Sequence, residues 1–333
     1  MHISTLRPAQ VDGRTATEMA DLRNRATAVD APHMPGETGE MVRLRLMHGW
    51  DGEATDRVLL ARDEQGVLTG LAEVELPRQD NRNLVWFFIV VEPVQRRRGV
   101  GSTLLEHVVA ASEEAGRDLL MSGTWVGSAG MPFLKRHEFA QASTAAQRRL
   151  YPNELPRPVD VELLEKSRAA STDYELVHIA GRLPDDLLES MVSTVDAIND
   201  APLDDLELED ENYTVDRLRR YDAAQAAQQQ RIYRIIARSR ADGSPAAHTV
   251  VAVDGRRPHV GEQHDTSVRP EHRGHRLGMR LKLELLEWLR EVEPQLRLID
   301  TWNQESNGHM IAVNDAIGCS VVGREAIFQK HVR

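Results

Sequence analysis

Glu92-Pro93-Val94-Gln95-Arg96-Arg97-Arg98-Gly99-Val100-Gly101 decides how this chain is read. It follows the apolar, strand-sized run Leu84 to Val91. It precedes Ser102 to Ala115, where Leu104, Leu105, Val108, Val109 and Ser112 recur at helical spacing and Gly116 supplies a stop. Strand, basic glycine-bearing turn and helix together form an anion site on physical grounds. A helix N-terminus leaves its first N–H groups unpaired and carries a partial positive charge. Glycine lets the backbone approach an anion closely, and guanidinium groups add fixed charge and forked donors. The combination cradles phosphate. The Gly-x-x-x-x-Gly-Lys-Ser/Thr loop of nucleotide-binding proteins is missing, and so is the dinucleotide pattern Gly-x-Gly-x-x-Gly. In a chain of net charge −11, such a site points to a phosphate-bearing cofactor.

A second copy reads Arg269-Pro270-Glu271-His272-Arg273-Gly274-His275-Arg276-Leu277-Gly278. Pro93 and Pro270 lie 177 positions apart, as do Arg96 and Arg273, Gly101 and Gly278, and the pairs Thr124-Trp125 and Thr301-Trp302. One offset kept across these segments argues for duplication. A length of 333 residues fits two domains, each able to bury its own core. The expected division is 1–150, a linker over 151–173, and 174–333. The linker begins Tyr151-Pro152-Asn153-Glu154-Leu155-Pro156-Arg157-Pro158, and its prolines favour extended chain.

Outward from the turns, the pattern predicts helices over Ala16–Ala28 and Gly39–His48, and strands over Arg57–Arg62 and Val67–Leu76. In the second half it predicts helices over Asp185–Asn199 and Thr214–Arg238, and another after the turn with Leu281, Leu285, Trp288 and Leu289 inward. Short strands, Asp118–Ser122 and Leu296–Asp300, lead into the two tryptophan segments. The acidic run Asp204 to Glu211 reads as an exposed loop, because EF-hand spacing is absent, and no metal is expected. The acidic balance makes nucleic acid a poor partner. No run approaches the roughly 20 apolar residues of a membrane span, so no membrane partner is expected. The lone Cys319 and the absence of an apolar leader lead to the expectation of a cytoplasmic protein. Its expected state is a monomer or homodimer, which the sequence leaves open.

Arg96-Arg97-Arg98-Gly99-Val100-Gly101, with Val91-Glu92-Pro93 before it and Ser102-Thr103-Leu104-Leu105 after it, resembles the Q/R-x-x-G-x-G/A signature of GNAT acetyltransferases. The layout resembles tandem GNAT proteins of actinobacterial type. The resemblance implies an α/β fold class of α+β mixed-sheet type. Two tandem GNAT folds are expected, each a mostly antiparallel mixed sheet flanked by helices, with a splayed central strand pair. It also implies an N-acetyltransferase that transfers an acyl group directly from acetyl-CoA, or another acyl-CoA, to a small-molecule amine. In the family the turn binds the cofactor's pyrophosphate, here Arg96, Arg97, Arg98, Gly99, Val100, Gly101 and Ser102. The strand before it holds the pantetheine arm, here near Ile89 and Val91.

The halves depart from the family pattern differently. Arg276 stands where the first glycine of the signature belongs, so the first half is expected to hold the cofactor. In the second half, Asn307, Met310, Val313, Asn314, Gly318 and Cys319 follow the family's later motif, with Asn307 at the cofactor-contacting asparagine. Asn314 and, in the first half, Leu134 occupy the place of the tyrosine that often protonates the departing thiolate. Neither can supply that proton. His137 is either its replacement or a surface histidine on a short helix. For a base, Glu73 and Glu75 share one strand face, which either lines the cleft or is the wet face of an edge strand. The matching strand of the second half carries Glu262, His264 and Asp265, a density of titratable groups that marks either a site or a solvated face. Glu75, Asp265 and Glu262 are therefore the catalytic candidates. Catalysis in the second half, or a non-catalytic acyl-CoA sensor or assembly protein, are the alternatives.

Overall fold

A regular antiparallel ladder that opens on one side places the first turn. The structure, a computed structural model, describes residues 1–154 and 157–332. The first unit comprises Met1–Ala145, Leu203–Glu209 and the chain from Gly323 onward. It contains β1 (His2–Leu6), α1 (Gly13–Asp30), α2 (Gly39–His48), β2 (Arg57–Arg62), β3 (Leu68–Glu75) and β4 (Leu84–Val91). Then come α3 (Val100–Ala115), β5 (Leu119–Trp125), α4 (Gly130–Arg136) and most of β12 (Ser320–His331). The strand order is β1-β2-β3-β4-β5-β12. Neighbours are antiparallel except β4 and β5, which are parallel and pair only at Leu84, Val85 and Trp86 against Leu119, Leu120 and Met121. Beyond Trp86 the two strands part, as the splayed pair was expected to.

Alternation along the strands sorts the core into two faces. Val85, Phe87, Leu120, Ala326 and Phe328 pack with Leu104 and Val108 of α3 and Leu134 of α4. Val58, Leu60 and Leu71 pack with Met19 and Leu22 of α1 and Val42 and Leu46 of α2. Each fully buried Leu or Phe contributes about 1.5–3 kcal/mol of transfer free energy. The helices start where local chemistry starts them: Asp12 accepts the Thr15 N–H at 2.7 Å ahead of α1. Gly116, with φ of 65°, stops α3 while its own N–H and that of Arg117 return to Glu113 and Ser112.

The second unit comprises Ala146–Pro202 and Asp210–Val322. It contains the end of β6 (Ala140–Leu150), α5 (Pro158–Ala170), β7 (Tyr174–Ala180), α6 (Asp185–Asp196), α7 (Val215–Ala227) and β8 (Gln230–Ser239). It continues through β9 (Pro245–Asp254), β10 (Val260–Val268), α8 (Leu277–Val292), β11 (Leu298–Gln304) and α9 (Gly308–Ala316). Its order is β7-β8-β9-β10-β11-β6. The parallel pair β10 and β11 joins only at Val260, Gly261 and Glu262 against Leu298, Ile299 and Asp300, so the splay is repeated. In each unit the strand beside the parallel pair comes from the other half of the sequence.

Three local expectations need correction. Thr214–Arg238 is not one helix: α7 ends at Ala227, Gln229 takes φ of 60°, and β8 follows. Ile232, Tyr233, Ile235 and Ile236 are β-branched or aromatic and buried, which a central strand favours over a helix end. Residues 158–170 of the expected linker form α5 rather than extended chain. Pro158 opens the helix, where its missing N–H is harmless, and Asp160 accepts the Arg157 N–H at 2.7 Å. Leu164 then packs into the α8 core. Leu155 and Pro156 lie outside the described residues. The acidic stretch 204–209 is a loop, but a docked one. Leu206 is buried against Leu84, Leu119 and Met121, and Asp204 accepts a hydrogen bond from the buried Ser143 hydroxyl at 2.5 Å. Among the described residues no helix is long and apolar enough to cross a membrane, and no cluster suited to a metal ion occurs.

Candidate active site

The first turn is held open by its own arginine. Arg96 donates to both carboxylate oxygens of Asp30, at the end of α1, at 2.9 and 2.6 Å, and its Nε reaches the Val91 carbonyl at 3.3 Å. Arg96 is thereby a strut of the turn, with its guanidinium already engaged. Arg97 and Arg98 are exposed and pair with no carboxylate among the described residues. Arg97 and Gly99 adopt left-handed φ values of 65° and 89°. Gly99 caps α3 with no side-chain hydrogen bond, and a Cβ there would meet nothing within 4 Å. The helix N-terminus therefore faces open space with its amides uncapped by any side chain. Val100 is buried, leaning on Gly70, and a Cβ at Gly101 would lie 3.2 Å from the Phe133 ring. The missing side chain at 101 lets α3 start close to α4. The Ser102 hydroxyl lies 3.0 Å from His137 Nε2, at the end of α4. Burial, with Arg136 and Lys330 nearby, holds that imidazole below its ordinary pKa. Ile89 and Val91 stand on β4 beyond its last pair with β5, where the backbone edge has lost its strand neighbour.

The second turn repeats the strut. Arg273 Nε reaches the Val268 carbonyl at 3.2 Å, and its guanidinium pairs with Asp200. The two left-handed positions are also repeated with the residue types exchanged: Gly274 has φ of 86° and Arg276 φ of 55°. A left-handed arginine costs about 1–2 kcal/mol, so the turn geometry is kept against its local preference. Around it, the Tyr174 hydroxyl lies 3.0 Å from His272 Nδ1, and the Tyr174 ring packs on His272 and His275. Asn307 serves as the cap of α9, accepting the Met310 N–H at 3.1 Å. Asn314 is fully buried and donates to Asn303 at 2.6 Å.

The reading of Glu73 and Glu75 as a wet edge face does not hold. β3 is an interior strand, and Glu73 is 0% exposed. Its carboxylate receives Arg45 at 2.6 Å and Arg23 at 3.1 Å, from α2 and α1. Burial works to raise its pKa, and the two guanidinium charges overcome that, holding it at about 2. Glu75 is half-buried, with Thr55 donating to it at 3.4 Å; burial and the neighbouring Glu73 charge raise its pKa. Opposite it stands Trp86, whose ring packs edge-on against Phe88 at 5.8 Å. Further along the same face, Trp125 meets His33 of the α1–α2 connection edge-on at 5.0 Å.

In the second unit, β10 slips register against β9 between Gln263 and Thr266, so His264 and Asp265 share one partner position. The Tyr221 hydroxyl lies 2.5 Å from His264 Nδ1. Burial and Arg234 push His264 down to about 3. Burial and then Glu211 push Asp265 up to about 6, against the opposing charges of Arg234 and Arg217. Glu262 is exposed and stands in register with Asp300. The structure thus gathers His264 and Asp265 with Tyr221 and Arg234. Nothing in the sequence pattern flagged Asp30, Asp200, Arg23, Arg45 or Tyr221, which reach the sites from other elements. Only the pairing of each arginine strut with an acid ahead of it repeats, and the two acids do not keep the common offset.

A family model described as "Acetyltransferase (GNAT) family" matches residues 19–131 and 198–314. Mycothiol acetyltransferase of Actinosynnema mirum is 37% identical over 107 residues, covering 32% of this chain and 33% of that protein. The chain thus spans about a third of the length of that relative. Among solved structures, a tandem GNAT protein from the clavulanic acid biosynthesis pathway superposes with a TM-score of 0.81 at 22% identity, covering 99% of this chain and 98% of that one. A GCN5-related N-acetyltransferase from Sphaerobacter thermophilus gives 0.70 at 15% identity, covering 99% and 96%. Both likenesses concern the fold.

Proposed function

The chain belongs to the GNAT acetyltransferase family, and on that premise we propose that it acetylates a small-molecule amine with acetyl-CoA held by the first unit. The two copies of the duplication are then 1–150 and 174–333. The observation that carries the reading is the first turn: a helix N-terminus whose cap residue makes no side-chain hydrogen bond, open space at Gly99, and two exposed arginines with no carboxylate partner among the described residues. These residues fit a diphosphate. Amides at the start of α3, with Arg97 and Arg98, would hold it, and the freed edge of β4 near Ile89 and Val91 would take the amide groups of the pantetheine arm. Acetyl-CoA supplies an activated acyl group as a thioester. The protein's part is to hold the amine against it and to accept the proton the amine sheds. The face bearing Glu75, Trp86 and Trp125 offers a carboxylate and aromatic walls for a cationic amine.

Arg98→Ala is expected to weaken acetyl-CoA binding about 10- to 100-fold, the range of a lost charge-assisted contact. Gly99→Glu should weaken it further, because a side chain at φ of 89° is strained and the new charge repels phosphate. Titration calorimetry giving the wild-type affinity for both variants would remove the reading.

A second reading places catalysis in the second unit, and the bulge that joins His264 to Asp265 favours it. An aspartate near 6 beside a sheet opening is suited to proton transfer. Turnover of Asp265→Asn and Glu75→Gln separates the two. Loss confined to Asp265→Asn moves the chemistry to the second unit, and loss confined to Glu75→Gln keeps it in the first.

A further inference from the structure

The sheet face that carries Glu75 and Trp86 also carries an acid from far along the chain. Glu325, on β12, pairs directly with Trp125 of β5. Opposite residues share a face, and alternation adds Gly123 to it. A Cβ built on Gly123 would stand 2.2 Å from Glu325 Oε1, so the carboxyl lies across the space that a side chain at 123 would fill. Gly123 and Trp125 come after Met121, the last residue of β5 that pairs with β4. The Glu325 carboxyl is therefore beside the opening between the parted strands, on the side where His33 and Trp125 meet.

Glu325 makes no hydrogen bond or ion pair among the described residues. Glu325 is half-buried; a carboxyl partly withdrawn from water with no protein partner favours its neutral form, and such groups concentrate where chemistry needs them. Its neighbours are Gly123 and Trp125 from β5 and, against Trp125, His33 from the α1–α2 connection. Arg324, next on β12, points to the opposite face by alternation. Burial is the whole cause that raises Glu325 to about 7, since no charged group stands close enough to oppose it.

We propose that Glu325 is the catalytic base of the first unit, delivered to the opening between β4 and β5 by the exchanged strand. This rests on the reading that the first unit holds acetyl-CoA. The amine's lone pair forms the C–N bond while the C–S bond breaks, and sulfur keeps the electron pair. The proton leaving nitrogen passes to a Glu325 carboxylate oxygen, and the thiolate takes its proton from water. Glu325 returns its proton to solvent when the product leaves.

The test uses the full chain, wild type and Glu325→Gln, with hydroxylamine as the probe nucleophile because it is small enough not to need a fitted acceptor pocket. Carbon-13 NMR of labelled glutamate, assigned by the missing signal in the variant, follows the Glu325 carboxyl with pH and needs no cofactor. A midpoint near 7 is expected; one in the ordinary carboxylate range overturns the proposal. Calorimetry should give the same acetyl-CoA affinity for both proteins. Thiol release to hydroxylamine should rise with pH through about 7 in the wild type and fall about 10²- to 10⁴-fold in the variant, without that rise. Equal rates and equal pH profiles overturn the proposal, as does a wild type that binds acetyl-CoA and transfers nothing. A wild type that binds no acetyl-CoA overturns the cofactor reading and this proposal with it. That failure appears in the calorimetry and is separate from a failure of Glu325 alone.

Discussion

Replacing Glu73 by glutamine is expected to lower the stability of the first unit by about 3–5 kcal/mol, the usual result of removing one partner from a buried ion pair. The variant keeps the side chain's shape and deletes only its charge. Arg45 and Arg23 then face each other across a neutral amide, with Glu37 as the remaining acid beside them. The loss should lie toward the lower end, because the Arg45 side chain is 34% exposed and water can soften its charge. The pH dependence gives an independent estimate. Glu73 is held at about 2 against an ordinary value of 4.5, a difference of about 3 kcal/mol. A carboxylate whose folded pKa is depressed stabilises fully above its unfolded pKa and loses that contribution as pH falls toward the folded one. Wild type should therefore be most superior above pH 4.5, and the two proteins should converge as pH drops toward about 2. Urea unfolding followed by tryptophan fluorescence across that range measures the gap. A gap that stays constant with pH would show that the charge is not its source.

Asp300→Asn should destabilise the second unit by a similar amount, about 3–5 kcal/mol. Asp300 on β11 receives Arg149 from β6 through two bonds, Nε at 2.7 Å and a terminal nitrogen at 2.8 Å, and both side chains are 8% exposed. Gln147 adds a third bond at 3.0 Å. Asparagine keeps the size but leaves a buried guanidinium without its counter-charge. The pair also adds a side-chain tie between β6 and β11, which are hydrogen-bonded neighbours in the sheet. Replacing both members by apolar residues, Arg149→Met with Asp300→Leu, should recover most of the loss, since the desolvation of the charges disappears with them. Chemical denaturation of the two single variants and the double variant completes the cycle. A single variant within about 0.5 kcal/mol of wild type, or a double variant no better than Asp300→Asn, would contradict this account.

Where the chain's readings succeed and fail follows from how far apart the deciding residues lie. Arg57–Arg62, Gly39–His48 and the helix that ends at Gly116 were legible because a few neighbours set each one. Thr214–Arg238 misled because periodicity alone does not separate a short buried strand from the end of a buried helix, and the break rests on one left-handed glutamine. The 151–173 stretch misled because proline marks both extended chain and a helix's first residue. Glu73 and Glu75 were correctly placed on one face, but alternation says nothing about what covers it. Two arginines from separate helices decide that.

By itself the sequence determined the duplication, the strand–turn–helix units and the basic, glycine-bearing turn of each, since each is written in residues close together or at one fixed offset. Only the tertiary structure decided which strand closes each sheet, that Arg96 braces the turn through Asp30, and that Glu325 arrives beside the opening of the first sheet. Those arrangements join positions far apart in the chain, and their energies depend on burial and on charges from other elements, neither of which any local stretch of residues carries.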